Sequence, residues 1–270
     1  NSDTFKNHQK HPTGFETIRE YMARDYQVPE NLEEFVFVSQ LLQARGMKIA
    51  IEAHRRNRPY CMGTLFWQLN DCWPVTSWSA VDYYGEKKAF YYQTQKSYEP
   101  LIVHVYQNKT ATEIYTINDY PTDKSGKIEM KIFDFQGNNL WQDTVLVIAN
   151  SNTSTIQKRI DESFINQFNR KEVVLQVVFT TNEKVYETLH YFAKPKDLVL
   201  KKPTIHVKQV DKNTIELTTD VVALNVYLQE EGTTFDANYF DLLPNQKKTV
   251  KTSDYVTNLK IKTLNDIQIQ

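Results

Sequence analysis

The sequence predicts a mixed fold, an α/β segment followed by two immunoglobulin-like β-sandwiches. Three observations carry this reading. A long pattern of helical period ends at Arg58-Pro59 and gives way to one continuous apolar run, Cys61–Leu69. After Tyr98-Glu99-Pro100 the helical pattern stops, and short strands recur roughly ten residues apart. A stretch from Pro195-Lys196-Asp197 to Lys201-Lys202-Pro203 then divides the strands into two series. The expected units are residues 1–97, 98–196 and 197–270.

The first unit opens with a short amphipathic helix from Thr13-Gly14 to about Asp25, closed off by Pro29. A long helix is expected from Leu32 to Arg56. Phe35, Val38, Leu41, Leu42, Arg45, Ile49 and Ile51 mark its inner stripe. Asn31 is its N-cap. Glu33 and Glu34 sit in the first turn and Arg55 and Arg56 in the last, each sign complementing the helix dipole. Cys61–Leu69 reads as a strand buried on both faces, the pattern of a parallel sheet. A loop rich in Trp, Pro and Ser follows, then a helix over Ala89–Ser97. One strand makes neither a sheet nor a barrel, so its partners are expected elsewhere. Without them residues 1–97 should fold back onto the first sandwich or pair with a second copy, while 98–270 fold on their own.

The first sandwich is expected from strands at Leu101–Tyr106, Thr112–Asn118, Lys127–Asp134, Thr144–Ile148, Val173–Thr180 and Lys184–Phe192. The turns Asp123-Lys124-Ser125-Gly126 and Gln136-Gly137-Asn138-Asn139 separate them. The second is expected from Ile205–Val210, Thr214–Thr219, Asn225–Leu228, Lys248–Thr252 and Leu259–Thr263.

Composition narrows function by exclusion. The net charge is −1, so there is no electrostatic footprint for nucleic acid or an anionic membrane. No apolar run reaches the ~18 residues of a membrane span. With only 7 glycines and no G-x-G-x-x-G or phosphate loop, a nucleotide cofactor is not expected. Cys61 and Cys72 are too few for a disulfide framework or a four-cysteine zinc site. His8 and His11 form an H-x-x-H without acidic company, read as a solvated loop and not a metal site. The 16 Tyr, 14 Phe and 4 Trp suit stacking on sugar faces, and equally the core of a β-sandwich.

The most specific stretch is Phe66-Trp67-Gln68-Leu69-Asn70-Asp71-Cys72-Trp73-Pro74-Val75-Thr76-Ser77-Trp78-Ser79-Ala80-Val81-Asp82-Tyr83-Tyr84-Gly85, then Lys88-Ala89. It resembles the β-mannosidase branch of glycoside hydrolase family 2. There, W-x-L-N-D, a W-P loop and S-x-x-D-Y-Y-G-x-x-K-A form strand eight of a (β/α)8 TIM barrel and lead into its last helix. Tyr98-Glu99-Pro100-Leu101-Ile102-Val103 resembles the family's step from barrel to sandwich. Phe235-Asp236-Ala237-Asn238-Tyr239-Phe240-Asp241-Leu242-Leu243-Pro244 resembles a turn of its terminal β-domain. Departures are Glu86-Lys87, where a basic and then an aromatic residue is common, and Ala237 within the turn.

The resemblance implies that residues 1–97 are the C-terminal remnant of a TIM barrel, comprising helix seven, strand eight and helix eight. It implies a retaining exo-hydrolase for terminal β-D-mannosides that needs no metal and no cofactor. Such an enzyme uses two carboxyl groups about 5–5.5 Å apart. In the family both are glutamates, in an N-E pair and an S-E-Y/F-G run on barrel strands four and seven. Neither is expected in this chain, and Glu52, within the long helix, reads as a solvated or capping residue. No residue of the chain is therefore assigned a catalytic role. The chain is expected to begin after strand seven, with the glutamates upstream and the fragment inactive.

What the resemblance leaves in the chain is a sugar platform. Trp67 would stack beneath the sugar at the cleavage point; the alternative is a barrel-core aromatic. Asn70, Asp71 and Trp73 would line the same pocket, with Asp71 accepting sugar hydroxyls or else capping the loop. Trp78 and Asp82 would hold the loop in place. The implied partners are a β-mannoside oligosaccharide or glycoside and the N-terminal domains of the same protein, in a periplasmic, secreted or lysosomal-type compartment. Two rivals remain: a carbohydrate-binding or interaction module without enzymatic role, and a related family-2 exo-glucosaminidase.

Overall fold

A computed structural model describes residues 3–9 and 11–268. Four helices occupy the first part: α1 (Asp3–Asn7), α2 (Gly14–Asp25), α3 (Leu32–Arg56) and α4 (Ala89–Ser97). The start of α3 is set locally, because Asn31 Oδ1 accepts the Glu34 N–H at 2.9 Å. Its inner stripe is displaced from the expected one. Phe37, Val38, Leu41, Ala44 and Ile51 are buried, whereas Phe35 is half-buried and Ile49 exposed.

The expected strand over Cys61–Leu69 is not formed. Leu65 is 100% exposed, Trp67 75% and Met62 62%. A strand is held by its ladder, and no described strand lies beside this segment to supply one. Just beyond it are two isolated bridges, Asn70 to Val81 parallel and Val81 to Lys87 antiparallel. Among the described residues, then, the first 97 form helices and loops, and a barrel remnant is not visible in them as such.

The β-rich part matches the sandwich expectation. One three-stranded antiparallel sheet runs β1 (Leu101–Gln107), β2 (Ala111–Asn118), β5 (Thr153–Asp161). A four-stranded sheet has the order β4 (Asn139–Ala149), β3 (Lys124–Asp134), β6 (Val173–Thr181), β7 (Val185–Tyr191). Period-two alternation places Ile128, Met130 and Ile132 of β3 in the core, opposite Phe179, Val177 and Leu175 of β6. Strand β5, with the short helix α5 (Glu162–Ile165) after it, was not anticipated. Its only buried side chain is Ile160, so it carries little apolar signal.

The second sandwich pairs β12 (Lys248–Lys251), β9 (Thr214–Thr219) and β8 (Ile205–Asp211) in one sheet. The other holds β11 (Phe240–Leu242), β10 (Ala223–Gln229) and β13 (Lys260–Lys262), and helix α6 (Asn265–Gln268) follows. Strand β11, also unanticipated, is pinned by its turn. Buried Asn238 donates to the Leu228 carbonyl and accepts the Leu228 N–H, both at 2.8 Å.

The helices seat across both sandwiches and not on the first alone. Met22, Tyr26, Phe37, Val38 and Leu41 share one apolar cluster with Phe135 and Val174 of the first sandwich. Val222, Leu224, Leu243 and Leu264 of the second join the same cluster.

Candidate functional site

The loop from Trp67 to Lys88 is built like a clamp. Leaving the extended segment, the chain turns back on itself. The Ala80 N–H donates to the Gln68 carbonyl at 3.0 Å, Val81 N–H to Leu69 at 2.8 Å, and Lys88 N–H to Ala80 at 3.0 Å. Asp82 closes the distal turn by accepting the Tyr84 and Glu86 N–H groups at 2.8 and 2.9 Å, the holding role expected of it.

Asp71 is the hub. Its side chain is buried, and Ser77 Oγ donates to Oδ1 at 2.6 Å. Ser79 Oγ donates to Oδ2 at 2.5 Å, Gln68 Nε2 to Oδ1 at 3.3 Å, and Lys88 Nζ approaches Oδ2 at 3.5 Å. Burial works against ionisation of Asp71. The two hydroxyl donors, Lys88 and Gln68 outweigh it, so its pKa lies below the ordinary value. Burial lowers the Lys88 pKa, and Asp71 opposes that without cancelling it. Both oxygens of Asp71 are thus engaged by its own loop.

The other expected residues are placed differently. Trp67 and Asn70 are exposed beside this hub. The Trp67–Gln68 peptide bond is cis. Trp73 is half-buried and stacks on His8, with centroids 5.6 Å apart. His8 Nδ1 also reaches the Pro74 carbonyl, and the Thr76 N–H donates to the His8 carbonyl at 2.9 Å. His8 therefore belongs to the loop's packing and is not a solvated residue. Trp78 is exposed, and its carbonyl accepts from Gln43 Nε2 of α3 at 2.9 Å. The structure so presents an indole face and an amide to solvent, over a buried, charge-balanced support.

Residues 110–197 match the family described as Mannosidase Ig/CBM-like domain, and 200–267 match a second described as Ig-fold domain. Beta-mannosidase B of Thermothelomyces thermophilus is 27% identical over 87% of this chain and 31% of its own length. Beta-mannosidase A of Neosartorya fischeri is 25% identical over 100% of this chain and 33% of its own. The crystal structure of β-D-mannosidase from Dictyoglomus thermophilum superposes with a TM-score of 0.86 at 26% identity, covering 96% of this chain and 33% of that one. By these matches the chain is similar to a C-terminal portion of a β-mannosidase of glycoside hydrolase family 2.

The chain spans about a third of the length of the curated relatives it matches. An exo-chitosanase of Amycolatopsis orientalis shares the fold, with a TM-score of 0.70 at 17% identity over 91% of this chain and 35% of its own. Ser77, Ser79 and Lys88 lay within the family-like stretch, but nothing in their spacing announced that they converge on Asp71. Gln40 and Gln43 of α3, which reach this region from a distance in sequence, carried no signal at all.

Two carboxylates outside the loop complete the picture. Glu52 is buried, contrary to the solvated role expected of it: Oε2 meets His104 Nδ1 at 2.8 Å and Oε1 accepts from Ser97 Oγ at 3.2 Å. Arg56 donates to His104 Nε2 at 2.9 Å. This chain of contacts joins α3 and α4 to β1, a structural use of the carboxylate. Contrary to the expectation that the chain holds no Asn-Glu pair, Asn182-Glu183 is one, but it falls in the β6–β7 turn, where Glu183 pairs with Lys124 at 2.8 Å. Among the described residues no group of three or more His, Cys, Asp or Glu could hold a metal ion.

Proposed function

We propose that the whole enzyme is a retaining, exo-acting β-mannosidase that hydrolyses terminal β-D-mannosides. Residues 1–97 are then the C-terminal part of its TIM barrel, with Trp67 at the end of strand eight. The two sandwiches, 98–196 and 197–270, follow the barrel. The single observation that carries this reading is the exposure of Trp67 on a loop fixed by the buried Asp71 hub. A large aromatic left 75% exposed while its support is fully engaged suits a surface completed by something else.

In this reading the indole stacks beneath the sugar at the cleavage point, and Asn70 and Trp73 line the same pocket. Asp71 serves that pocket by holding its floor. The platform orients the sugar, and orientation acts on rate as well as on affinity. The two carboxyl groups of the retaining reaction belong to segments outside this chain, and their chemistry cannot be replaced by stacking or hydrogen bonding. Support also comes from the solvent exposure of Leu65 and Met62 on the segment leading to Trp67, which neighbouring barrel strands would cover.

The test is kinetic. Full-length enzyme is assayed on chromogenic β-mannoside and β-glucosaminide, alongside Trp67→Ala. Preference for the mannoside together with a large loss in the variant supports the reading. Preference for the glucosaminide transfers the assignment to the related exo-glucosaminidases.

A further inference from the structure

One ridge of α3 touches both the terminal sandwich and the site loop. Phe37, Gln40 and Gln43 are spaced three residues apart and so share a face of the helix. Phe37 packs on Tyr239 and Tyr227 of the second sandwich, with centroids 6.1 Å away in each case. Gln40 Oε1 accepts two hydrogen bonds, one from Tyr239 Oη at 3.1 Å and one from the Ala89 N–H at 3.2 Å. An amide oxygen has two lone pairs, so both donors are accommodated. Gln43 holds the Trp78 carbonyl.

Ala89 follows Lys88, whose Nζ donates to Ser79 Oγ at 2.7 Å and whose N–H donates to the Ala80 carbonyl. Ser79 and Ala80 in turn fix Asp71 and Gln68, the residue after Trp67. A continuous path of hydrogen bonds and covalent links therefore runs from Tyr239 through Gln40, Ala89-Lys88 and Ser79-Ala80 to Gln68 and Trp67.

We propose that Gln40 and Tyr239 are positioning residues, through which the terminal sandwich sets the place of the Trp67 loop. The inference rests on the platform reading of Trp67. It gives the second sandwich a function in the reaction without any contact with sugar. Gln40 ties the N-terminus of α4 to α3, and Tyr239 fixes the rotamer in which it does so. Loss of either lets the Lys88 end of the clamp shift, and a displacement of about 1 Å at the platform lowers turnover.

The experiment uses the full-length enzyme and four variants, Gln40→Leu, Gln40→Glu, Tyr239→Phe and Tyr92→Phe, with Trp67→Ala as reference. Tyr92 lies in the same aromatic group but donates to the Phe235 carbonyl, off the path. Gln40→Leu is expected to lower kcat about tenfold with little change in KM, and Tyr239→Phe a few-fold. Gln40→Glu, which keeps an acceptor, should restore most of the rate, and Tyr92→Phe should leave it unchanged. Hydrogen exchange over residues 77–89 should rise in Tyr239→Phe and not in Tyr92→Phe. That exchange and the mild Tyr239→Phe variant decide the matter if Gln40→Leu fails to fold. Wild-type kcat and exchange in Tyr239→Phe, with a crippled Trp67→Ala, overturn the path while leaving the platform standing. Near wild-type kinetics in Trp67→Ala overturn the platform reading and the path with it.

Discussion

The ring of Phe37 lies on that of Tyr239, centroids 6.1 Å apart and planes 22° from parallel. Tyr239 stacks in turn on Tyr227 at 4.6 Å. A helix from the first third of the chain is thereby built into the core of the last quarter. Tyr239, in the bend just before β11, adopts a φ of +53°.

Phe37 is buried, so Phe37→Ala is expected to destabilise the chain by about 3–5 kcal/mol. Residues 98–270 expressed alone should bind a hydrophobic dye where Phe135, Val174, Leu224 and Leu243 lose their helical cover. Urea unfolding of the variant and dye fluorescence of the truncation check both. A variant as stable as the parent, or a truncation that binds no dye, would show that the helices only rest on the sandwiches.

The 270-residue chain alone should not hydrolyse a chromogenic β-mannoside. Asp71 and Asp82 of its site loop are already committed, Asp71 to Ser77 and Ser79 and Asp82 to two backbone N–H groups. Turnover by the purified chain above buffer, abolished by Trp67→Ala, would overturn this expectation.

In the full-length enzyme Trp67→Ala should lower kcat/KM on the order of 10²-fold or more. Because Trp67 is exposed in this chain and the hub beneath it does not use its ring, the fold should survive the change. Circular dichroism alongside the kinetics separates loss of platform from loss of structure.

Gly126→Ala should destabilise the first sandwich by about 1–3 kcal/mol. A Cβ there would stand 2.2 Å from the Thr180 carbonyl oxygen and 2.8 Å from the Phe179 ring. The first neighbour is backbone of the paired strand β6 and has no room to move. The midpoint of urea unfolding reads the effect, and an unchanged midpoint would mean that β3 and β6 are less closely packed.

Burial pushes the His190 pKa down to about 3, with the positive charges of Lys48 and Arg45 adding to the shift. In the unfolded chain the imidazole titrates near its ordinary value of about 6.5. Between those values the unfolded state binds a proton that the native state does not. Stability therefore falls as pH drops from about 6.5, at no more than about 1.4 kcal/mol per pH unit from this group. His190→Gln should flatten the profile between pH 7 and 5, measured by urea unfolding. Parallel profiles for the two proteins would show that His190 keeps its proton equally well in both states.

Much of the fold was legible in the sequence because its causes are local. Helix α3 begins at a capping Asn31 and carries an apolar stripe at its own period. Strands such as β3 announce themselves by alternation. The sequence also displayed the family-like stretch Phe66–Gly85 and placed Trp67 at the end of an expected strand, with Asn70, Asp71 and Trp73 in the loop after it. It did not reveal that Cys61–Leu69 forms no strand, since a strand is made by the neighbour that completes its hydrogen bonds and not by its own apolar run. It did not reveal that Glu52 is buried against His104, or that Ser77, Ser79 and Lys88 converge on Asp71. Those pairings join residues up to 52 positions apart, and α3 reaches Tyr239 across 199. Periodicity and capping decide which segments are helix or strand. Only the packed chain decides which buried polar groups meet, because a buried charge is stable only where donors arriving from elsewhere replace the water it has lost.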